Sequence, residues 1–144
     1  MKIAICQEGG WRLTPLCIKT YYKKKDQDCY CYFRQMAGDY SIRHTNDSEY
    51  DDRLYYYSID FGDEVDWMTL MEIPARLEDN GDRLRTDPIF IQTLQELGDQ
   101  AYAKGTIIRI VDVPDEAEYE IETDGFNHDT SIYYREDIFV KQYL

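Results

Sequence analysis

The sequence predicts a single α+β domain, residues 1–144, in which two helices pack on one face of a mainly antiparallel sheet. Its 144 residues fit one domain of ordinary size. Two segments have helical spacing and begin with a capping residue followed by proline, whereas the other apolar residues fall in short, aromatic-rich runs typical of strands. Aromatic side chains make up 15% of the chain, which supplies a core despite 31% charged residues.

The N-terminal segment predicts a strand, a tight turn and a helix. Residues 2–6 form an apolar run that leads to the pair Gly9–Gly10, as expected of a strand and a glycine turn. Thr14 and Pro15 match an N-cap and the first position of a helix. Apolar residues at helical spacing then run to a lysine triplet that suits the negative end of the helix dipole, so we expect a helix over 15–24.

Tyrosine-rich runs predict the strands that follow. Residues 29–34, 40–44 and 54–60 are bounded by polar turn residues and favour strands. The acidic stretch 46–52 predicts an exposed connection. Residues 67–73 fit a strand or a short helix, because periodicity does not separate the two.

The next segment predicts a polar turn and then a second helix. Residues 77–85 are polar around the turn pair Asn80–Gly81. The helix begins at Asp87–Pro88, and its apolar face continues to Ala101 before Gly105 stops it.

The C-terminal segment predicts three strands. β-branched residues over 107–113 favour a central strand of a sheet. The runs 119–122 and 131–134 predict a hairpin whose loop is longer than a two-residue turn.

Charge is distributed unevenly along the chain. Residues 1–45 carry 4 acids and 8 bases, whereas residues 46–144 carry 25 acids and 8 bases. The acidic segment, with a net charge of −17, repels nucleic acid and anionic membrane and attracts basic protein surfaces. The N-terminal segment, at +4, could still hold one small anion.

Three groups of carboxylates are the candidate partner-binding residues. They belong to the acidic connection, to the segment after the third tyrosine-rich strand, and to the first strand of the hairpin: Asp47, Glu49, Asp51 and Asp52; Asp60, Asp63, Glu64 and Asp66; Glu118, Glu120 and Glu122. The alternation of the last group places its acids opposite Tyr119 and Ile121, which is also the common pattern of a solvated strand face. No group matches an EF-hand loop, so we expect no metal.

The turn after the first strand is the candidate site for a small anionic ligand. Gly9, Gly10, Trp11 and Arg12 precede a helix N-terminus, where backbone N–H groups and the helix dipole favour an anion such as a nucleotide phosphate. Arg109 could add a second positive charge. The pattern is neither a dinucleotide-binding fingerprint nor a P-loop, and a tight strand-to-helix turn requires glycine for steric reasons alone.

The cysteines and histidines do not indicate a catalytic or metal site. Cys6, Cys17, Cys29 and Cys31 lack the paired spacing of common zinc modules and fit buried, reduced thiols. No nucleophile signature surrounds any of them, and the two histidines lie in polar stretches. We therefore expect no catalytic residue, no cofactor and no enzymatic activity.

The sequence predicts a cytoplasmic protein. The residues after Met1 lack the apolar length of a signal peptide, and no apolar run approaches the length of a membrane span. Cysteines remain reduced in that compartment.

The order of several short motifs resembles that of small uncharacterised proteins encoded by tailed bacteriophages and prophages. The motifs are Arg85-Thr86-Asp87-Pro88, Leu94-Gln95-Glu96-Leu97-Gly98, Ile108-Arg109-Ile110-Val111-Asp112-Val113-Pro114-Asp115, Glu118-Tyr119-Glu120-Ile121 and Asp124-Gly125. The opening strand and the segment Gly9-Gly10-Trp11-Arg12-Leu13-Thr14 are also similar, whereas residues 46–76 have no counterpart. The resemblance implies a phage origin and a location in the host cell cytosol, and it carries no established activity.

The leading hypothesis is a non-enzymatic phage protein that binds a host or defence-related protein with a basic surface, as a counter-defence inhibitor. Its acidic, tyrosine-rich surface would make the contact, and rows of carboxylates could mimic nucleic acid. We expect no direct binding of nucleic acid or membrane. The alternatives are a protein that binds or sequesters a nucleotide signal and a virion accessory protein. Tyrosine-rich edge strands could also pair two copies as a homodimer.

Overall fold

The computed structural model describes residues 1–36, 38–72, 74–126, 128–135 and 139–144. Within them the chain forms four α-helices and nine β-strands. The helices are α1 (Pro15–Lys24), α2 (Trp67–Glu72), α3 (Gly81–Leu84) and α4 (Pro88–Leu97). The strands are β1 (Lys2–Glu8), β2 (Tyr30–Arg34), β3 (Tyr40–Arg43), β4 (Leu54–Tyr57), β5 (Glu64–Asp66), β6 (Ile107–Asp112), β7 (Tyr119–Thr123), β8 (Asp129–Arg135) and β9 (Phe139–Tyr143).

The strands pair antiparallel in three separate sheets. β1 pairs with β6, the order β4–β2–β3–β5 forms a four-stranded sheet, and β7–β8–β9 forms a three-stranded sheet. The predicted α+β class is confirmed. The described part of the chain has three sheets and four helices in place of the predicted sheet with two helices, because alternation along a sequence identifies strands without specifying which strands pair.

Helix α1 has the predicted bounds. The Thr14 hydroxyl accepts a hydrogen bond from the Cys17 N–H at 3.3 Å, and Pro15 occupies the first turn. One face of the helix is buried and packs against α4: Cys17, Ile18, Tyr21 and Tyr22. The cap and the apolar spacing therefore specify this helix locally.

Helix α4 begins where predicted and ends earlier. The Asp87 carboxylate accepts a hydrogen bond from the Ile89 N–H at 2.9 Å. The helix ends at Leu97, because Gly98 adopts a φ of +57°. A 3-10 turn, Gly98–Ala101, follows and buries its last residue. The four-residue spacing of apolar residues continues through that turn, which is why the sequence predicts a longer helix.

Residues 67–85 contain the two short helices. The undecided segment 67–73 forms α2, although residue 73 itself lies outside the described residues. The predicted turn at Asn80–Gly81 leads into α3, and the Asn80 side chain accepts a hydrogen bond from the Asp82 N–H at 2.9 Å. One helical turn therefore replaces the expected irregular segment.

The predicted hairpin is confirmed as β7 and β8, and β5 and β9 are additional strands. The prediction of a central strand over 107–113 is wrong, since β6 pairs only with β1 among the described strands. Ile108 and Ile110 pack on the core formed with α1 and α4, whereas Val111 and Val113 pack near Ile132 of β8. Both faces of β6 are therefore covered by other parts of the fold. This explains the apolar run, although among the described strands β6 has a neighbour on one edge only.

The outer edge of β4 is covered by the segment 75–77. The Ser58 N–H donates to the Ala75 carbonyl at 2.9 Å, and the Leu77 N–H donates to the Tyr56 carbonyl at 2.9 Å. This tyrosine-rich edge is therefore already bonded within the chain and is not free to pair with a second copy. Asp79 and Asn80, which follow this segment, lie beside residues 50–52 of the acidic connection.

Candidate functional site

The acidic connection between β3 and β4 holds four of the predicted partner-binding residues. Asp47 forms an ion pair with Lys19 at 2.6 Å, and Asp51 forms one with Arg53 at 3.2 Å. Glu49 and Asp52 are exposed and form no ion pair with a described residue. Half of this group is therefore neutralised within the chain.

The second predicted group surrounds β5. Arg43 forms an ion pair with Asp60 and lies 3.7 Å from Asp63. The Asp66 carboxylate accepts a hydrogen bond from the Thr69 N–H at 2.7 Å, which lowers the pKa of Asp66 and caps α2. Glu64 is exposed on β5 and forms no ion pair among the described residues.

The third predicted group lies on β7 and just before it. Glu118, Glu120 and Glu122 are exposed and Ile121 is half-buried, as the predicted alternation requires, but Tyr119 is also exposed. Glu122 accepts a hydrogen bond from the Tyr133 hydroxyl at 2.8 Å and lies 4.0 Å from Lys141. The other two carboxylates form no ion pair with the described part of the chain.

The glycine turn is held by contacts within the fold. Gly9 has a φ of +80°, and a Cβ there would lie 2.6 Å from the Gly105 carbonyl oxygen, so the position requires glycine. Arg12 donates from Nε to the Thr106 hydroxyl at 3.1 Å and from Nη2 to the Lys104 carbonyl at 3.2 Å. Arg12 therefore joins this turn to the start of β6.

The first turn of α1 is also bonded to protein acceptors. The Leu16 N–H donates to the Asp47 carbonyl at 2.9 Å, and the Cys17 N–H donates to the Thr14 hydroxyl. Arg109 is exposed on β6, opposite Ile5 in the register. These contacts do not favour the predicted anion site, because the Leu16 and Cys17 amides and the Nε and Nη2 donors of Arg12 already have acceptors.

Trp11 lies against α3. Its indole Nε1–H donates to Asp82 Oδ1 at 2.7 Å, and the Arg85 guanidinium lies 5.4 Å from the centre of its ring. A Cβ at Gly81 would overlap the indole, so glycine is required for this packing. Trp11 lines two cavities, which we call the Tyr56 cavity and the Arg85 cavity.

The Tyr56 cavity has a volume of about 260 Å³ and combines carboxylates with aromatic walls. Its lining residues are Trp11, Leu13, Ile18, Tyr50, Asp51, Asp52, Leu54, Tyr56, Asp79 and Asn80. Burial raises the pKa of Asp79, whose nearest cation, Arg76, lies 3.9 Å away. Burial and the neighbouring Asp52 also raise the pKa of Tyr50.

Tyr56 is 3% exposed, and its hydroxyl has no hydrogen-bond partner among the described residues. The Cys31 thiol lies beside this hydroxyl. A buried hydroxyl without a partner is unfavourable, because its lost hydrogen bonds to water are not replaced.

The Arg85 cavity has a volume of about 690 Å³ and lies between the glycine turn, α3 and the β7–β8 hairpin. It is lined by Gly10, Trp11, Asp82, Arg85, Tyr119, Glu120, Ile121, Thr123, Phe126 and Asp129. The side chain of Arg85 is 11% exposed and lies 2.5 Å from Asp82 and 3.4 Å from Asp129. Asp129 also accepts a hydrogen bond from the Cys6 N–H at 2.9 Å, and burial raises the pKa of Asp129. Three carboxylates line this cavity with one guanidinium, so its charge is negative.

The two cavities bring together residues that the sequence assigns to different candidate sites. Asp51, Asp52 and Glu120 come from the acidic groups, whereas Gly10 and Trp11 come from the anion candidate. Sequence reasoning missed four residues with buried or partly buried polar groups: Tyr56, Asp79, Arg85 and Asp129. The sequence signals near them are the Asn80–Gly81 turn, which fixes α3 against Trp11, and the motif Arg85-Thr86-Asp87-Pro88.

The thiols have none of the properties of activated nucleophiles. Burial raises the pKa of Cys6 to about 11 and the pKa of Cys17, Cys29 and Cys31 to about 12. Neutral thiols predominate at pH 7, whereas a nucleophilic cysteine needs a lowered pKa. Among the described residues, no group of three or more His, Cys, Asp or Glu side chains is placed to hold a metal ion.

Comparisons with known proteins found no match to this chain among protein-family models, curated proteins or solved structures. In the described ranges no helix has the length and apolar character needed to cross a membrane. The assignment of function therefore depends on the charges, cavities and contacts of the chain itself.

Proposed function

We propose that this chain is a non-enzymatic interaction protein that binds a basic protein surface through its exposed carboxylates. One observation carries the proposal. Six of the predicted partner-binding acids are exposed without an ion pair to a described residue: Glu49, Asp52, Glu64, Asp66, Glu118 and Glu120. The arginines and lysines near the other predicted acids already form ion pairs, so the excess negative charge faces solvent.

Exposed tyrosines next to these carboxylates support a protein partner. Tyr119, between Glu118 and Glu120, is 38% exposed, and Tyr40, which is 49% exposed, pairs with Asp66 across β3 and β5. Tyrosine provides contact area at a modest entropic cost, and acidic side chains accelerate association with a basic surface. A net charge of −13 disfavours nucleic acid and anionic membranes as direct partners.

The resemblance to phage and prophage proteins leads us to propose that the basic partner is a host or defence-related protein in the bacterial cytosol. Inhibition by mimicry of nucleic acid is the form of binding that a carboxylate-rich surface favours, because its charges can take the place of phosphates on a basic surface.

The test is capture of proteins from a bacterial lysate on the immobilised full chain, followed by mass spectrometry. We expect basic proteins to be enriched at about 0.1 M salt and lost at about 1 M salt, since the Debye length falls from about 10 Å to about 3 Å. A Glu64→Gln, Glu118→Gln, Glu120→Gln variant should lose them.

The matched control is an Asp28→Asn, Asp99→Asn, Asp112→Asn variant, in which three other exposed acids are neutralised. Both variants have the same net charge, so a specific surface predicts loss only in the first. Recovery of no basic protein, recovery that ignores salt, or equal behaviour of the two variants would contradict the proposal.

A small-ligand function is the second candidate, because the volume of the Arg85 cavity falls in the roughly 300–1,000 Å³ range of ligand pockets. Its three carboxylates and one guanidinium favour a cationic or neutral ligand over a nucleotide. Calorimetric titration with linear and cyclic nucleotides should therefore show no binding. Binding that is lost in Arg12→Ala would instead support the nucleotide alternative.

A further inference from the structure

We propose that the Tyr56 cavity receives the guanidinium group of an arginine on the basic partner. The identity of the occupant rests on the proposed function, whereas the preference of the cavity for a guanidinium is a property of its own side chains. It has three features: negative charge that the chain compensates only in part, an unused buried hydroxyl, and aromatic walls in a volume that suits one side chain.

The charge of the cavity is the first feature. Asp51 already pairs with Arg53, but Asp52 has no ion pair with a described residue. The side chain of Asp79 is only 29% exposed, and the 3.9 Å separation from Arg76 is too long for a good hydrogen bond. A guanidinium placed between these carboxylates would supply charge-assisted hydrogen bonds that the chain does not make.

The hydroxyl of Tyr56 is the second, independent feature. Tyr56 lines the cavity, and its hydroxyl is buried and has no hydrogen-bond partner in the described part of the chain. A guanidinium carries five N–H donors, so it can bond both carboxylates and still donate to this oxygen. The occupant would thereby satisfy a group that the fold leaves unsatisfied.

Shape and aromatic character favour arginine over lysine. The walls include the rings of Trp11, Tyr50 and Tyr56, and a planar guanidinium stacks on such rings better than an ammonium does. The fold itself packs arginine against aromatic rings elsewhere, as Arg34 lies 3.9 Å from the centre of the Trp67 ring. The volume of about 260 Å³ is below that of ordinary ligand pockets, which suits one inserted side chain.

The experiment is an NMR titration of the full chain with arginine that is acetylated and amidated at its ends. The citrulline analogue, a neutral isostere, and the lysine analogue are the matched probes. We expect arginine to shift the signals of the Trp11 indole N–H and of the amides of Asp79 and Asn80. The Trp67 indole, which lies outside the cavity, is the internal reference.

The affinity for arginine should exceed that for citrulline by about tenfold, since charge-assisted hydrogen bonds are lost in the neutral analogue. Lysine should bind more weakly than arginine. Asp52→Asn, an exposed position at which the fold is not at risk, and Asp79→Asn should each weaken arginine binding several-fold. Asp99→Asn, an exposed acid outside the cavity, should leave it unchanged.

Equal binding of citrulline, unchanged affinity in both cavity variants, absence of shifts, or shifts confined to Thr123 and Phe126 of the Arg85 cavity would each overturn the inference. Binding of the arginine probe in the Tyr56 cavity together with failure to capture any basic protein would retain the inference and overturn the proposed function. Salt-sensitive capture of a basic protein without binding of the arginine probe would retain the proposed function and overturn the inference.

Discussion

The two cavities beside Trp11 differ in how the fold compensates their carboxylates. In the Arg85 cavity, Asp82 and Asp129 lie within 3.4 Å of one buried guanidinium. In the Tyr56 cavity, Asp79 has its nearest cation at 3.9 Å, and the Tyr56 hydroxyl has no partner among the described residues. The first arrangement stabilises the fold, whereas the second leaves interactions unused. Unused buried groups, more than acidic composition, therefore distinguish the Tyr56 cavity and support the proposal that a partner binds there.

Removing the charge of Arg85 should have the largest effect on stability. We expect Arg85→Met to lower the free energy of unfolding by about 3–5 kcal/mol, because the side chain of Asp129 is 3% exposed and would lose its cation. Urea denaturation monitored by tryptophan fluorescence measures the change.

The double variant Arg85→Met, Asp129→Asn should recover part of that loss, because it removes both charges. Arg83→Met, at a side chain that is 75% exposed, is the control and should change stability by less than about 0.5 kcal/mol. A small change in the free energy of unfolding for Arg85→Met would contradict the view that Arg85 compensates the carboxylates of the Arg85 cavity.

Changing the packing of the shared wall should have the next largest effect. We expect Gly81→Ala to destabilise the fold by about 1–3 kcal/mol, since its Cβ would overlap the Trp11 indole. Gly125→Ala is the matched control, as a Cβ there meets no atom within 4 Å. Thermal unfolding of both variants measures the difference, and equal melting temperatures would show that Trp11 is not packed as described.

The tyrosine hydroxyls give a smaller and more specific contrast. The Tyr32 hydroxyl donates to the Gly62 carbonyl at 2.8 Å and accepts from the Phe61 N–H at 2.9 Å, so Tyr32→Phe should cost about 1 kcal/mol. Tyr56→Phe removes a hydroxyl without a partner and should leave stability unchanged or slightly raised. Chemical denaturation of the two variants tests this order, which a clear destabilisation by Tyr56→Phe would contradict.

The smallest expected effect is on pH dependence. Burial raises the pKa of Asp79 above its ordinary value of 3.8, so the folded state holds this proton more tightly than the unfolded state does. The stabilising contribution is therefore complete below pH 3.8 and is lost as the pH rises through the raised pKa.

Asp79→Asn should accordingly stabilise the protein at pH 7 by less than about 1 kcal/mol, because the carboxylate is partly screened by solvent. The difference from the unsubstituted chain should disappear in acid. Urea denaturation at several pH values measures it. A destabilised Asp79→Asn at pH 7 would show that the carboxylate is compensated after all.

Local chemistry made the two long helices predictable, whereas strand pairing depended on distant contacts. Thr14 and Asp87 cap helices whose first turns can be read from a few neighbouring residues. The partner of β6 depends on packing against both α1 and β8, which no local pattern encodes.

The candidate site shows the same limit. Asp51, Asp52 and Trp11 were candidates because of their residue types. Asp79 and Tyr56 lie beside them in the fold, where the segment 75–77 is hydrogen-bonded to β4. Arg12 was a candidate for binding an anion because of its residue type. In the structure its guanidinium instead holds the glycine turn against Lys104 and Thr106.

The burial of the Cys17 thiol has a practical consequence. Cys17 has no exposed surface, and its raised pKa of about 12 keeps it protonated, so an alkylating reagent can modify it only when α1 separates from the core. The rate of alkylation of Cys17 therefore measures how often α1 separates from the core. Comparing the alkylation rate with and without a captured partner would show whether the partner stabilises the whole fold or only the surface that it covers.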